Sequence, residues 1–359
     1  MKEIQNLLLC WFKREGRALP WRVAYAPYQI WVSEIMLQQT QVDRVVRYFL
    51  RWIRAYPRVQ DVAKAEEQEI LRHWQGLGYY SRARSIRKAA RIIVFRYNGS
   101  LPAEHNKLLT LPGIGPYTAG AIMSLGFNKE YPVVDANVER FFSRFFNIGR
   151  CIDLKEVREF LWKKAKEMIP CGQARAFNQA MMELGALICK AKNPGCPVCP
   201  VRDFCQAYLL KVVAKRPVKK RKPSRVAIEM AACLFIKEKS VLIKKRGATG
   251  LWANLWEFPN WKTGEGSTPE ETIRKELLES WNHGTYTLER LGTIKPSYTI
   301  YNVTLHCFVC RLGDDFNTEK KDLKGKWVPV DTISQFPFSS AHMKLSGFLE
   351  DEVFVADCI

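Results

Sequence analysis

The 359-residue sequence has no apolar run approaching the roughly eighteen residues that a membrane-spanning helix needs, which excludes such helices. Its first residues, MKEIQNLLLCWFKREGR, turn charged too early for a cleavable export signal. Internal repeats are lacking, and the one biased tract is a short basic stretch. Histidine is sparse, five residues far apart. Acidic residues are in deficit: 36 Asp and Glu stand against 56 Lys and Arg, a net +20, so the natural partner is a polyanion, nucleic acid or an acidic membrane surface. The remaining composition, 47% apolar and 26% charged, is ordinary and excludes wholesale disorder and a collagenous or coiled-coil rod. At about 150 residues per domain the length suggests two domains or three small ones. Together these features read as a soluble, cytosolic protein with no membrane segment.

Eleven cysteines would suit a disulfide framework in a small secreted chain, but this chain is large and carries no export signal, so reduced thiols or a metal centre are expected. Cys189, Cys196, Cys199 and Cys205 fall within seventeen residues as C-x6-C-x2-C-x5-C, with no histidine among them. Four thiolates without imidazole suit tetrahedral zinc or an iron–sulfur cluster, and spacing alone does not separate the two. Cys307 and Cys310 form another C-x2-C, but they lie on an expected strand, where residues three apart face opposite ways, so they read as core.

Apolar residues recur at helical spacing up to about residue 210, for example Trp31, Ile35, Val42, Val45, Val46 and Phe49. Residues 211–226, KVVAKRPVKKRKPSRV, are basic with two prolines and read as a linker. Beyond it, residues 227–359 alternate strand patterns (EMAACLFIKEKSVLIKKR, TIYNVTLHCFVCRL, GKWVPV) with one amphipathic helix, PEETIRKELLESW, giving an α+β domain.

Three local patterns carry chemistry. In LPGIGPYTA, residues 111–119, Gly113 and Gly115 form a turn directly before a small-residue helix, as in a helix-hairpin-helix; glycine there lets the backbone approach a phosphate at a helix N-terminus. Glu34, with Ile30, Trp31 and Leu37 as helical neighbours, lies on or beside an apolar face, where desolvation raises its pKa and favours the protonated acid. Asp135, after an extended apolar run and before a helical pattern, sits at an N-cap, where backbone donors and the helix dipole favour its ionised form. One neutral acid beside one carboxylate is what cleavage of a glycosidic bond requires.

The motifs SEIMLQQTQV, WQGLGYYSRAR, LPGIGPYTAGA, VVDANVERF, FNQAMMELGALIC and the four-cysteine loop, in this order, closely resemble the MutY adenine DNA glycosylases of the helix-hairpin-helix superfamily. The resemblance spans the chain. It implies an all-α catalytic region over 1–210, with the hairpin at about 111–121 and a [4Fe–4S] loop at 189–205. The basic linker 211–226 then leads to a MutT-like, Nudix-type α+β domain over 227–359 that helps recognise 8-oxoguanine.

It also implies a monomeric, monofunctional enzyme that binds double-stranded DNA and removes adenine mispaired with 8-oxoguanine or guanine. By this resemblance Glu34 is the general acid, Asp135 the carboxylate facing the sugar cation, Tyr117 the tyrosine beside that centre, and Asn137 a residue that orients the site. Trp21, Arg22, Leu37 and Gln179 match the adenine pocket. Gln39, Thr40, Leu77 and Tyr79 match residues around the extruded base. Endonuclease III carries a catalytic lysine where this chain has Tyr117 and has no counterpart of Glu34, so glycosylase and lyase action on damaged pyrimidines is the alternative, along with a non-catalytic DNA-binding protein.

The sequence departs from the family at two places. Ala136 replaces the usual glycine after the key aspartate, and the Phe-Ser-His loop that probes 8-oxoguanine aligns with Tyr298-Thr299-Ile300, where the imidazole is lost. The C-terminal helix keeps Glu276 and Glu279 of a MutT metal box but has Lys275 and Ser280 at two other box positions, so it is expected to bind rather than hydrolyse.

Overall fold

The computed structural model describes residues 1–220, 226–250, 252–264, 266–280, 284–296, 301–316 and 325–349. Two compact units emerge: residues 1–65 with 85–221, and 66–84 with 222–359. Sequence patterning placed the whole of 1–210 in one region. The structure instead assigns 66–84, including helix Glu67–Trp74, to the second unit, because its side chains bond there: Gln68 Nε2 donates to the Asn254 carbonyl and Tyr80 Oη to the Phe338 carbonyl.

The first unit is helical. Helices α1 (Lys2–Glu15), α2 (Pro27–Leu37), α3 (Val42–Ala55) and α4 (Val59–Lys64) precede the excursion into the second unit. Helix α5 (Glu67–Trp74) lies in that excursion, and α6 (Ser81–Tyr97) returns from it. Next come α7 (His105–Leu109), α8 (Pro116–Ala121), α9 (Ala136–Phe145), α10 (Lys155–Glu167), α11 (Ala174–Leu187) and α12 (Gln206–Leu209). Helix α2 starts with Pro27 at its first turn and is buried over the whole of Ile30–Met36, so it is engulfed rather than amphipathic. Leu8 and Trp11 of α1 pack with Phe141, Phe142 and Phe145 of α9 and Phe177, Met181 and Leu184 of α11 in one core. Helix α11 approaches α9 closely because residue 185 is glycine; a Cβ there would stand 2.6 Å from the Asn137 Cβ.

The stretch 211–220, expected as a free linker, is docked on the first unit. Val218 bridges Cys151, the Arg216 carbonyl accepts from Arg144 Nε, and the Lys220 amide donates to Asp153.

The second unit holds a seven-stranded sheet, β1 (Val226–Lys237), β2 (Ser240–Lys245), β3 (Trp256–Glu257), β4 (Asn260–Lys262), β5 (Tyr286–Ile294), β6 (Tyr301–Leu312) and β7 (Lys326–Pro329), in the order β3-β2-β1-β6-β5, with β4 beside β1 and β7 beside β2. Strands β1 and β6 are parallel. Cys307 packs in the core on one face of β6 and Cys310 in the core on the other, as period-two alternation requires. Helix α13 (Pro269–Ser280) covers the second face through Ile273 and Leu277. Its Glu279 is exposed and paired with Lys275, whereas Glu276 is half-buried, and burial raises its pKa.

Candidate active site

Ten of the residues singled out from the sequence line one cavity of about 530 Å³ in the first unit: Trp21, Arg22, Glu34, Leu37, Gln39, Thr40, Tyr117, Asp135, Asn137 and Gln179. Glu34 is 1% exposed because the helix around it is buried on all sides. Burial pushes its pKa up to about 7, reinforced by the nearby Asp135 charge and opposed by a 2.5 Å hydrogen bond that Tyr117 Oη donates to Oε2. Tyr117, from helix α8, stays a phenol, since burial and the two carboxylates raise its own pKa far above the ordinary value. Helix α8 runs straight into a π-helical turn, Ile122–Gly126, a local irregularity of the kind often found at functional sites.

Asp135 N-caps α9. Its Oδ1 accepts from the amides of Asn137 (2.9 Å) and Val138 (2.7 Å), and its Oδ2 from Asn137 Nδ2 (2.8 Å). The N-cap pattern by itself points to backbone donors and the helix dipole favouring the ionised form. Burial acts against them and is the larger influence, so the Asp135 pKa is raised, with the hydrogen bonds restraining the rise. Ala136 takes the first helical position and is exposed. Asn137 is fixed in turn by Arg140 Nη2, which donates to its Oδ1 at 2.9 Å.

Sequence reasoning missed Glu183, Arg17 and Arg140. Glu183 is buried on α11 and accepts from Arg17 Nε and Nη2 (2.8 and 2.9 Å) and from Arg22 Nη2 (2.8 Å). Burial favours its neutral form, but the two guanidiniums prevail and hold its pKa below the usual range. A lone acid in the apolar run FNQAMMELGALIC was the available signal.

The remaining expected residues lie elsewhere. Gly113 has φ +80°, and a Cβ there would meet Ser85 Cβ at 2.7 Å, whereas a Cβ on exposed Gly115 would meet nothing within 4 Å. In the second unit, Leu77 is 6% exposed and Tyr79 45% exposed, on a loop that Arg82 ties back through the carbonyls of Leu77 and Gly78. Tyr298, Thr299 and Ile300 fall outside the described residues.

Cys189, Cys196, Cys199 and Cys205 line a second, tight cavity of about 20 Å³ together with Arg144. Burial first, then their mutual charges, raises the pKa of three of them, that of Cys199 to about 12. Among the described residues no three Cys, His, Asp or Glu side chains converge closely enough for a single metal ion. Arg144 Nη1 donates to the Sγ of Cys189 at 3.3 Å, and Arg140 Nε donates to the Cys189 carbonyl at 2.7 Å. One helix, α9, therefore carries the carboxylate at its start and the arginines that hold the cysteine loop further along.

The HhH-GPD superfamily of base excision DNA repair proteins matches residues 32–167, and the NUDIX domain matches 231–346. The adenine DNA glycosylase of Buchnera aphidicola subsp. Baizongia pistaciae is 38% identical over 276 residues, covering 76% of this chain and 75% of the relative. The chain belongs to the adenine DNA glycosylases. The Mus musculus member of that family is 32% identical and matches 96% of this glycosylase and 77% of its own length. Among solved structures, a thermostable thymine-DNA glycosylase is similar at 30% identity and TM-score 0.55, over 58% of this chain and 96% of that one. Endonuclease III in a non-covalent DNA complex is similar at 26% identity and TM-score 0.50, over 58% and 97%.

Proposed function

We propose that this glycosylase excises adenine mispaired with 8-oxoguanine or guanine in double-stranded DNA, hydrolysing the N-glycosidic bond once the base has left the stack and leaving the strand uncut. The observation that carries this reading is a protonatable Glu34 and a hydrogen-bonded Asp135 lining one cavity. Tyr117 donates to Oε2 of Glu34, which leaves Oε1 to hold the proton for the departing base. Asp135 faces the positive charge that develops on the sugar, and Asn137 keeps that carboxylate oriented through Nδ2. Among the described residues no lysine lines the cavity to form a Schiff base with the sugar, so on this reading base loss ends at an abasic site.

Cys189, Cys196, Cys199 and Cys205 are proposed to hold a [4Fe–4S] cluster. The donor set fits: four cysteines share one cavity, and burial, then mutual charge, raises the pKa of Cys196, Cys199 and Cys205, so a cationic centre is needed to hold them as thiolates. When bound, the cluster supplies that charge and cross-links the loop.

The test is a single-turnover assay on duplexes pairing adenine with each possible partner, with and without alkali. Alkali-dependent breaks at adenine opposite 8-oxoguanine and guanine are expected; breaks without alkali, or none at adenine, overturn the reading. For the lesion preference, an Ile300→His variant should widen the gap between the two partners by about 5-fold or more, the worth of one buried polar contact.

A further inference from the structure

Gln179 lines the cavity but is 1% exposed, and its amide is already heavily engaged. Nε2 donates to the Arg175 carbonyl at 3.1 Å and to Tyr25 Oη at 3.2 Å, while Tyr25 Oη lies 3.4 Å from Oε1 as a donor. A carbonyl cannot donate, so the Arg175 oxygen fixes which end of the amide is nitrogen. Both protons of Nε2 are then used, and the only hydrogen-bonding capacity left on the side chain is a lone pair of Oε1.

Tyr25 is itself held in place. The Arg175 guanidinium stacks over its ring at 4.5 Å and is anchored by the carbonyls of Leu125 (2.6 Å) and Gly126 (2.9 Å). The Tyr25 backbone adopts φ +51°, an unusual conformation for a large side chain, which persists only where the surroundings enforce it.

We propose that Tyr25 is a positioning residue that turns Gln179 into an acceptor-only reader of the base's exocyclic amino group. The proposal rests on the adenine-excision reading above. Adenine presents an amino donor at its six-position, and guanine an oxygen acceptor at the same place. An amide free to rotate can satisfy either. One clamped with both N–H groups occupied accepts from adenine and meets guanine oxygen to oxygen, which leaves two buried acceptors unpaired and rejects the base. No motif in the sequence pointed to Tyr25; it acts across 154 residues of chain.

The experiment compares the full chain, purified with its iron, with a Tyr25→Phe variant, which keeps the ring stacked on Arg175 but removes the hydroxyl. Single-turnover excision is measured from duplexes carrying adenine, guanine, or the purine analogue with hydrogen in place of the amino group. Adenine excision should fall roughly tenfold in the variant, the analogue should be removed at an unchanged rate, and the preference for adenine over guanine should narrow. Equal losses on adenine and analogue would reduce Tyr25 to a structural role and overturn the proposal. So would an unchanged adenine rate. A natural protein that leaves adenine in place overturns this proposal together with the reading beneath it, whereas a natural protein that excises adenine and a variant that matches it overturn this proposal alone.

Discussion

Helix α9 separates two cavities that treat buried ionisable groups in opposite ways. At its start, Asp135 is met by three hydrogen-bond donors and Glu34 by the Tyr117 hydroxyl, so each carboxyl group finds its partner in the protein. Farther along, four cysteines line one tight cavity, and Arg144 Nη1 donates to the sulfur of Cys189. On the proposed reading, the first cavity moves a proton and faces a cation with its own side chains. On the same reading, the second is completed by the charge of a bound cluster, whose contribution is to fold and orient the loop.

The largest break in this comparison is expected from Glu34→Gln, which keeps the shape and the Tyr117 contact but has no proton to give. Excision should fall about 10²–10⁴-fold while duplex affinity stays within a few-fold, read by single-turnover assay and titration. An unchanged rate would remove Glu34 from the acid's role. Asp135→Asn should cost about 10²–10³-fold, since a neutral amide cannot balance the developing positive charge.

Acidity offers a finer handle. With Glu34 titrating at about 7, kcat/KM should decline about tenfold per pH unit above neutrality. Its folded pKa lies above the ordinary 4.5, so the folded state keeps a proton that the unfolded chain loses between pH 4.5 and about 7, and this contribution to stability is lost as pH rises through that window. Glu34→Gln should flatten both slopes, and a parental pH profile in that variant would place the titration elsewhere.

The second cavity should respond differently. Cys199→Ser should strip the iron and, if losing the cross-link costs about 3 kcal/mol as a disulfide would, lower the Tm by about 10 °C. The protein that remains folded and bound should still excise within a few-fold of the parental rate. A loss as deep as that of Glu34→Gln in well-folded protein would erase the distinction between the two cavities. The smallest expected effect is on salt: affinity should fall log-linearly with salt, and removing Lys192 from the cysteine loop should lower that slope by about one phosphate contact without altering the excision rate.

The sequence by itself determined whatever short-range spacing encodes. Helical periodicity marked α2 and α3, the turn-before-helix pattern marked Asp135 as a cap, and strand alternation put Cys307 and Cys310 on opposite faces of β6. Strands β3, β4 and β5 escaped notice, two of them because two or three residues carry no period and β5 because its pattern is exposed on an edge.

Only the tertiary structure decided the pairings that build the candidate site and the cysteine loop: Tyr117 with Glu34 across 83 residues, Arg22 with Glu183 across 161, and Arg140 with the cysteine loop across 49. It also added to the local reading of Asp135 an opposing burial effect that raises its pKa, because an N-cap is set by its own two or three neighbours, whereas desolvation depends on every element packed around it. The linker 211–220 teaches the same lesson. Its basic, proline-bearing composition says that it need not fold alone, and only the partners waiting at Cys151 and Asp153 bring it to rest on the helical unit. Local propensity acts over a few residues, while burial and hydrogen-bond satisfaction are properties of the assembled core.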